Sequence, residues 1–150
     1  MKIEDEIKTD KFVNERHKAM INIKYTANWM GQMINGALKK YKISIQQFNV
    51  LRILRGAKDP ISVNEVRDRM VEKTPNITRL MDKLLEKEYI QRFRCEDDRR
   101  VVYVEISQGG LDILQKLEDN KVVEAMPPFM ENITEEEAKV INDCLNRLRD

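Results

Sequence analysis

Proline fits an α-helix only in its first turn, where the N–H it lacks would have had no partner inside the helix. The stretch Lys73-Thr-Pro-Asn-Ile-Thr-Arg-Leu80 therefore marks a helix start. Thr74 is predicted as its cap and Pro75 as its first residue. Ile77, Leu80, Met81, Leu84 and Leu85 follow at three-and-four spacing and form the face to be buried. Asn76, Thr78 and Arg79 thread polar side chains through the same first turn and a half. Such a helix docks by one face and keeps a polar end free.

Its neighbours narrow the use of that end. Ser62-Val-Asn-Glu65 spells a capping box that opens a short helix containing Val63, Val66 and Met70. After the Pro75 helix come two β-like runs, Tyr89–Arg94 and Val101–Ile106, separated by the charged residues 95–100. Short helix, tight turn, second helix and hairpin with a polar tip make a winged helix-turn-helix. In that fold the second helix enters the DNA major groove by its N-terminal residues. Asparagine can bridge adenine N6 and N7, arginine can bridge guanine O6 and N7, and a threonine methyl can touch the thymine methyl. Asn76, Arg79 and Thr78 supply those groups, and Lys73 and Lys83 add phosphate contacts. On the hairpin tip, Arg100 can reach into a narrow minor groove, held extended by Asp98. Glu96 and Asp97 work against it by repelling phosphate.

Residues 11–41 carry Met20, Ile23, Ala27, Met30, Ile34 and Tyr41 at helical spacing, widened by Phe12, Trp29 and Met33. A helix over that span, about 45 Å long, exceeds what one small domain can cover, so part of it is expected to meet a partner chain. Ser44-Ile-Gln-Gln47 spells a second capping box before Phe48, Leu51 and Leu54, and Gly56–Pro60 breaks the chain after it. Ser107 caps a helix with Leu111, Leu114, Leu117 and Val122, and Pro127-Pro128 interrupts it. Thr134-Glu-Glu-Glu137 opens a last helix with Ala138, Ile141, Leu145 and Leu148. The fold class is mainly α (α+β).

Composition bounds the function. A chain of 150 residues suits one domain with a sizeable core. No apolar run approaches the ~18–20 residues of a membrane span and no leader peptide is read, so the expected location is the cytoplasm. The net charge of +1 hides an asymmetry: residues 1–103 sum to +7 and residues 104–150 to −6, so a polyanion prefers the front of the molecule. Cys95 and Cys144 lie far apart and read as free thiols. With one histidine, no zinc spacing and no phosphate-binding glycine loop, neither cofactor, metal nor enzymatic activity is expected. His17 reads as a surface or interface residue, and with Trp29 and Met33 forms a candidate ligand pocket. Asn76-Ile-Thr and Asn132-Ile-Thr are glycosylation sequons by spelling only.

The stretches "ISVNEVRDRM" at 61–70, "PNITRLMDKLLEKEYIQR" at 75–92 and "EDDRRVVYVEISQGG" at 96–110 resemble the multiple antibiotic resistance regulator (MarR) family. The order of helices matches over nearly the whole chain. The resemblance implies a homodimer on a pseudo-palindromic DNA operator. It implies a repressor, released by a small phenolic or lipophilic ligand. It places Thr74, Pro75, Asn76, Thr78 and Arg79 at the major groove, Arg100 with Asp98 at the minor groove, and Arg99 on a phosphate. It assigns residues 1–43 and 107–150 to dimerisation helices and 44–106 to a DNA-binding lobe of one domain. Where the family turns off its recognition helix through glycine, this chain has Glu88, at a cost of roughly 1 kcal/mol if the backbone there is left-handed.

Two rival functions remain. One is a redox-sensing regulator using Cys95 or Cys144. Three carboxylates beside Cys95 raise a thiol's pKa and make it a poor thiolate, and Cys144 is expected buried or near an interface. The other is a winged-helix protein-interaction module, which would lack salt-dependent affinity for duplex DNA.

Overall fold

A computed structural model of the chain describes residues 1–72, 74–94, 101–120, 122 and 131–150. Lys73, Cys95, Glu96, Asp97, Asp98, Arg99, Arg100 and Pro127-Pro128 lie outside the described residues. The chain divides into two compact units, Met1–Asn49 and Val50–Asp150.

The first unit holds α1 (Ile3–Ile7) and the 25-residue α2 (Glu15–Lys39). The long helix is shorter than the apolar pattern predicts. Asn14 caps it, its side chain accepting from the His17 amide at 2.9 Å, and this stops the helix from running back to residue 11. The α1 helix, only five residues, escapes periodicity altogether. Leu38, Ile43 and Phe48 are buried, whereas Met20, Ile23 and Met33 of α2 are exposed.

Helix α3 (Ile45–Ala57) leads into the second unit. Its capping box is present: the Gln47 amide donates to Ser44 Oγ at 3.2 Å, and the Ser44 amide donates to Gln47 Oε1 at 3.0 Å. The second unit continues with β1 (Ile61–Ser62), α4 (Val63–Arg69), α5 (Ile77–Glu86), β2 (Ile90–Arg94), β3 (Val102–Ile106), α6 (Gln108–Asp119) and α7 (Glu135–Arg147). Its antiparallel sheet runs in the order β1-β3-β2, with Ile61 opposite Val104 and Phe93 opposite Tyr103. Val50, Leu51, Leu54, Val66, Met81, Leu84, Val104, Leu114 and Leu117 make the core, which is why α3 to α6 and the hairpin hold together. The capping boxes at Ser62 and Thr134 both form. Arg55 of α3 pairs with Glu118 of α6 at 2.5 Å.

Glu88 does take the left-handed conformation, φ 57°. Its amide donates to Leu85 O at 2.8 Å, and the Tyr89 amide to Leu84 O at 3.0 Å, the paired bonds that usually end a helix through glycine. Next to this turn, Ser107 caps α6 by accepting from the Gly110 amide, and its hydroxyl donates to Glu88 O at 2.5 Å. Gly109 and Gly110 are needed for this approach: a Cβ on Gly109 would sit 2.9 Å from Glu88 O, and one on Gly110 would overlap the Tyr89 carbonyl oxygen.

Candidate nucleic-acid interface

The site is built by α4, α5 and the β2–β3 hairpin. Ser62 accepts from the Glu65 amide at 3.2 Å while Glu65 Oε2 accepts from the Ser62 amide at 2.9 Å. That amide, then the Ser62 hydroxyl, holds the Glu65 carboxyl below its ordinary value. The box also fixes α4 to the sheet, because Ser62 belongs to β1 and pairs with Tyr103 of β3. Such a two-residue strand leaves no pattern in the sequence.

Helix α5 begins two residues later than its sequence suggests. Asn76, not Thr74, is its cap: Asn76 Oδ1 accepts from the Arg79 amide at 3.4 Å, and Asn76 O accepts from the Leu80 amide. Thr74 Oγ1 instead accepts from the Asn76 amide at 3.3 Å, in the turn that delivers the chain to the helix. Pro75 therefore stands before the cap rather than at the first helical position. Both Thr and Asn cap well, so composition alone cannot choose between them.

From this start, Ile77, Met81 and Leu84 are buried, and Asn76, Thr78, Arg79 and Lys83 are exposed, as is Pro75, while Thr74 is half-buried. Neither Arg79 nor Lys83 has a carboxylate partner among the described residues. On the flank of α5 toward the hairpin, Asp82 Oδ1 accepts from Arg92 of β2 at 2.9 Å. This pair was not among the sequence candidates, because ten residues separate it and no local motif links the two. Ser62, Asn64, Thr78, Met81, Arg92 and Val102 line a cleft of about 310 Å³ between α4, α5 and the β2–β3 hairpin. On the outer hairpin face Phe93 stacks on Tyr103, ring centres 6.2 Å apart.

The other candidates fall as follows. Trp29 lines a groove of the first unit together with Tyr25, and neither His17 nor Met33 lines that groove. On α2 the twelve residues from His17 to Trp29 rotate the side chains roughly 120° apart. Cys144 is exposed, because α7 buries none of its residues in a single chain; of the two expected placements, buried or near an interface, the first does not hold. Among the described residues no cluster of His, Cys, Asp or Glu could hold a metal ion, and no helix is long and apolar enough to cross a membrane.

This arrangement has relatives. The family model described as transcriptional regulator SarA/Rot matches residues 32–117, more than half of the chain. The chain belongs to the SarA/Rot family of transcriptional regulators. It is 35% identical over 88 residues to the uncharacterized HTH-type transcriptional regulator YpoP of Bacillus subtilis, a match spanning 59% of this chain and 61% of that relative. The chain thus covers less than two thirds of that relative's length. A putative MarR-like transcription regulator from Bacillus cereus aligns with a TM-score of 0.78 at 18% identity, covering 90% of this chain and 96% of that one. A variant of E. coli MarR complexed with operator DNA aligns at 0.75 and 22% identity, covering 93% and 99%. These likenesses establish the fold, which is the MarR-type winged helix.

Proposed function

We propose that this SarA/Rot-family protein is a cytoplasmic, sequence-specific DNA-binding regulator that acts as a homodimer on a pseudo-palindromic operator. The observation that carries the reading is the two-faced α5. Its apolar face is packed in the unit, and its first turns offer Asn76, Thr78, Arg79 and Lys83 to the outside. Asn76, Thr78 and Arg79 read bases, Lys73 and Lys83 hold phosphates, and Thr74 and Pro75 shape the approach. Arg100, positioned by Asp98, takes the minor groove and Arg99 a phosphate. The MarR relative bound to operator DNA supports the same choice of partner.

Dimerisation is supported by apolar positions that a single chain leaves bare: Met20, Ile23 and Met33 on α2, and Val140, Ile141 and Leu148 along α7. Residues 1–43 and 107–150 then serve the dimer and 44–106 the DNA. Two recognition helices occupy major grooves about 34–36 Å apart, one helical turn. Repression, and release by a small phenolic or lipophilic ligand, follow from the family resemblance.

The test is binding to the DNA upstream of the protein's own gene, against a scrambled duplex, over a salt series. Preference for the upstream fragment near ~0.15 M salt, with affinity falling as salt rises, is the expected result. No binding even at low salt would leave the protein-interaction reading. Asn76→Ser separates reading from folding: serine keeps the cap, so stability holds, while preference at one base pair relaxes by ~1–3 kcal/mol. An unchanged specificity profile would remove Asn76 from the reading face.

A further inference from the structure

Strand β2 carries two arginines on one side, and they are held differently. Side chains alternate along a strand, so Ile90, Arg92 and Arg94 share a face. Ile90 is buried, as is Val104 opposite Arg92, so this face is the one turned toward the core of the unit. Arg92 Nη1 donates to Asp82 Oδ1 of α5 at 2.9 Å. Arg94 is exposed, and among the described residues no carboxylate pairs with it. Phe93, between them, lies on the opposite face and stacks on Tyr103.

The strand register places Arg94 relative to α5. It stands opposite Val102 of β3, and Val102 shares a cleft with Thr78, the second residue of α5. The chain reverses at Glu88 between helix and strand. From the Asp82–Arg92 pair, two strand residues advance roughly 6.6 Å and four helical residues go back roughly 6 Å, to Thr78. Arg94 therefore comes level with the end of α5 that carries Asn76, Thr78 and Arg79. The two guanidinium groups then differ in what they can offer a polyanion. Asp82 offsets the charge of Arg92, so that pair presents little net charge. Arg94 keeps its full charge and a fork of donors matched to phosphate oxygens.

We propose that Arg94 is a phosphate contact, gripping the DNA backbone beside the major groove that α5 enters, and that Asp82 keeps Arg92 out of the interface. Resting on the DNA-binding reading, this contact adds to it a residue that fixes register and carries no base information. Two arginines on one face of one strand thereby take separate tasks: Arg92 ties the hairpin to α5, and Arg94 ties the hairpin to the polyanion.

The test counts phosphates. The unaltered full chain selects a duplex from a randomised pool, and its affinity for that duplex is measured over a salt series. The logarithm of affinity falls against the logarithm of salt by ~0.9 for each phosphate neutralised. Arg94→Gln should make the slope shallower by about 1 for each protomer on the DNA and leave the base preferences unchanged. Arg94 is exposed, so its replacement leaves the fold intact. Arg94→Lys keeps the charge and should keep the slope. Asp82→Asn combined with Arg92→Gln removes the pair at constant net charge and should leave the slope within about 0.5 of the unaltered value. An unchanged slope in Arg94→Gln, as would follow if Glu96, Asp97 or Asp98 held the guanidinium, overturns the assignment while the DNA reading stands. A slope lost equally in Arg94→Lys, or a double variant as shallow as Arg94→Gln, overturns it too. Failure of the unaltered chain to enrich any duplex removes the DNA reading and this contact with it.

Discussion

Helices α5 and α7 belong to the same unit, are 10 and 13 residues long, and both gather apolar side chains on one face. In α5 that face is gone from solvent: Met81 is 1% exposed and Leu84 0%. In α7 nothing is buried, with Val140 61%, Ile141 45% and Leu148 54% exposed. Fully burying one such side chain is worth about 1.5–3 kcal/mol, so among the described residues the face of α5 is completed and that of α7 is not. The polar face of α5 stays in solvent because its apolar face is spent inside the unit. Among the described residues nothing covers the apolar face of α7, and on the proposed reading a second copy does.

The sharpest way to break this contrast is to truncate each stripe. Leu84→Ala should destabilise the protein by ~2–5 kcal/mol in chemical unfolding, with a loss that does not depend on protein concentration. Ile141→Glu should leave the helical content of the isolated chain intact and lower dimer affinity at least tenfold, read by sedimentation equilibrium. A concentration-independent loss of similar size for both variants would erase the distinction. Smaller effects test the ends of the elements. Ser62→Ala should cost ~1 kcal/mol in thermal unfolding through loss of the α4 cap. Because the Glu65 carboxyl is held below its ordinary 4.5, the half of the box it carries is present above that pH and fades as pH falls through the lowered value. The Ser62→Ala penalty should therefore shrink in acid. Smallest is Glu88→Gly. Relief of the left-handed residue, ~1–2 kcal/mol, is offset by ~0.4–1 kcal/mol of added freedom in the unfolded chain, leaving a net gain centred on about 0.8 kcal/mol in chemical unfolding.

What the sequence discloses about this fold is what neighbouring residues decide. The boxes at Ser44, Ser62 and Thr134 are closed within four residues and are read directly. The start of α5 is misplaced by two residues because Thr74 and Asn76 are both competent caps, and the choice rests on how the turn approaches the domain. Strand β1 is invisible because its two residues owe their conformation to β3, some forty positions away. The same holds for the Asp82–Arg92 pair and the cleft beside it. The fate of the α7 stripe is illegible for a different reason: apolar spacing records that a face needs covering, not what covers it.

The contact between the end of α5 and the start of α6 has a mechanical consequence. Ser107 Oγ grips the Glu88 carbonyl, and Gly109 and Gly110 admit the Glu88–Tyr89 backbone at a distance no side chain would allow. The two helix ends behave as a hinge pin with no play. On the proposed DNA-binding reading, a displacement of the α6 end would reach α5 through this contact instead of being absorbed in a slack loop. The same tightness leaves no room for a side chain at positions 109 and 110, so on the proposed DNA-binding reading substitutions that retune α5 without disturbing this contact lie at its free N-terminal end.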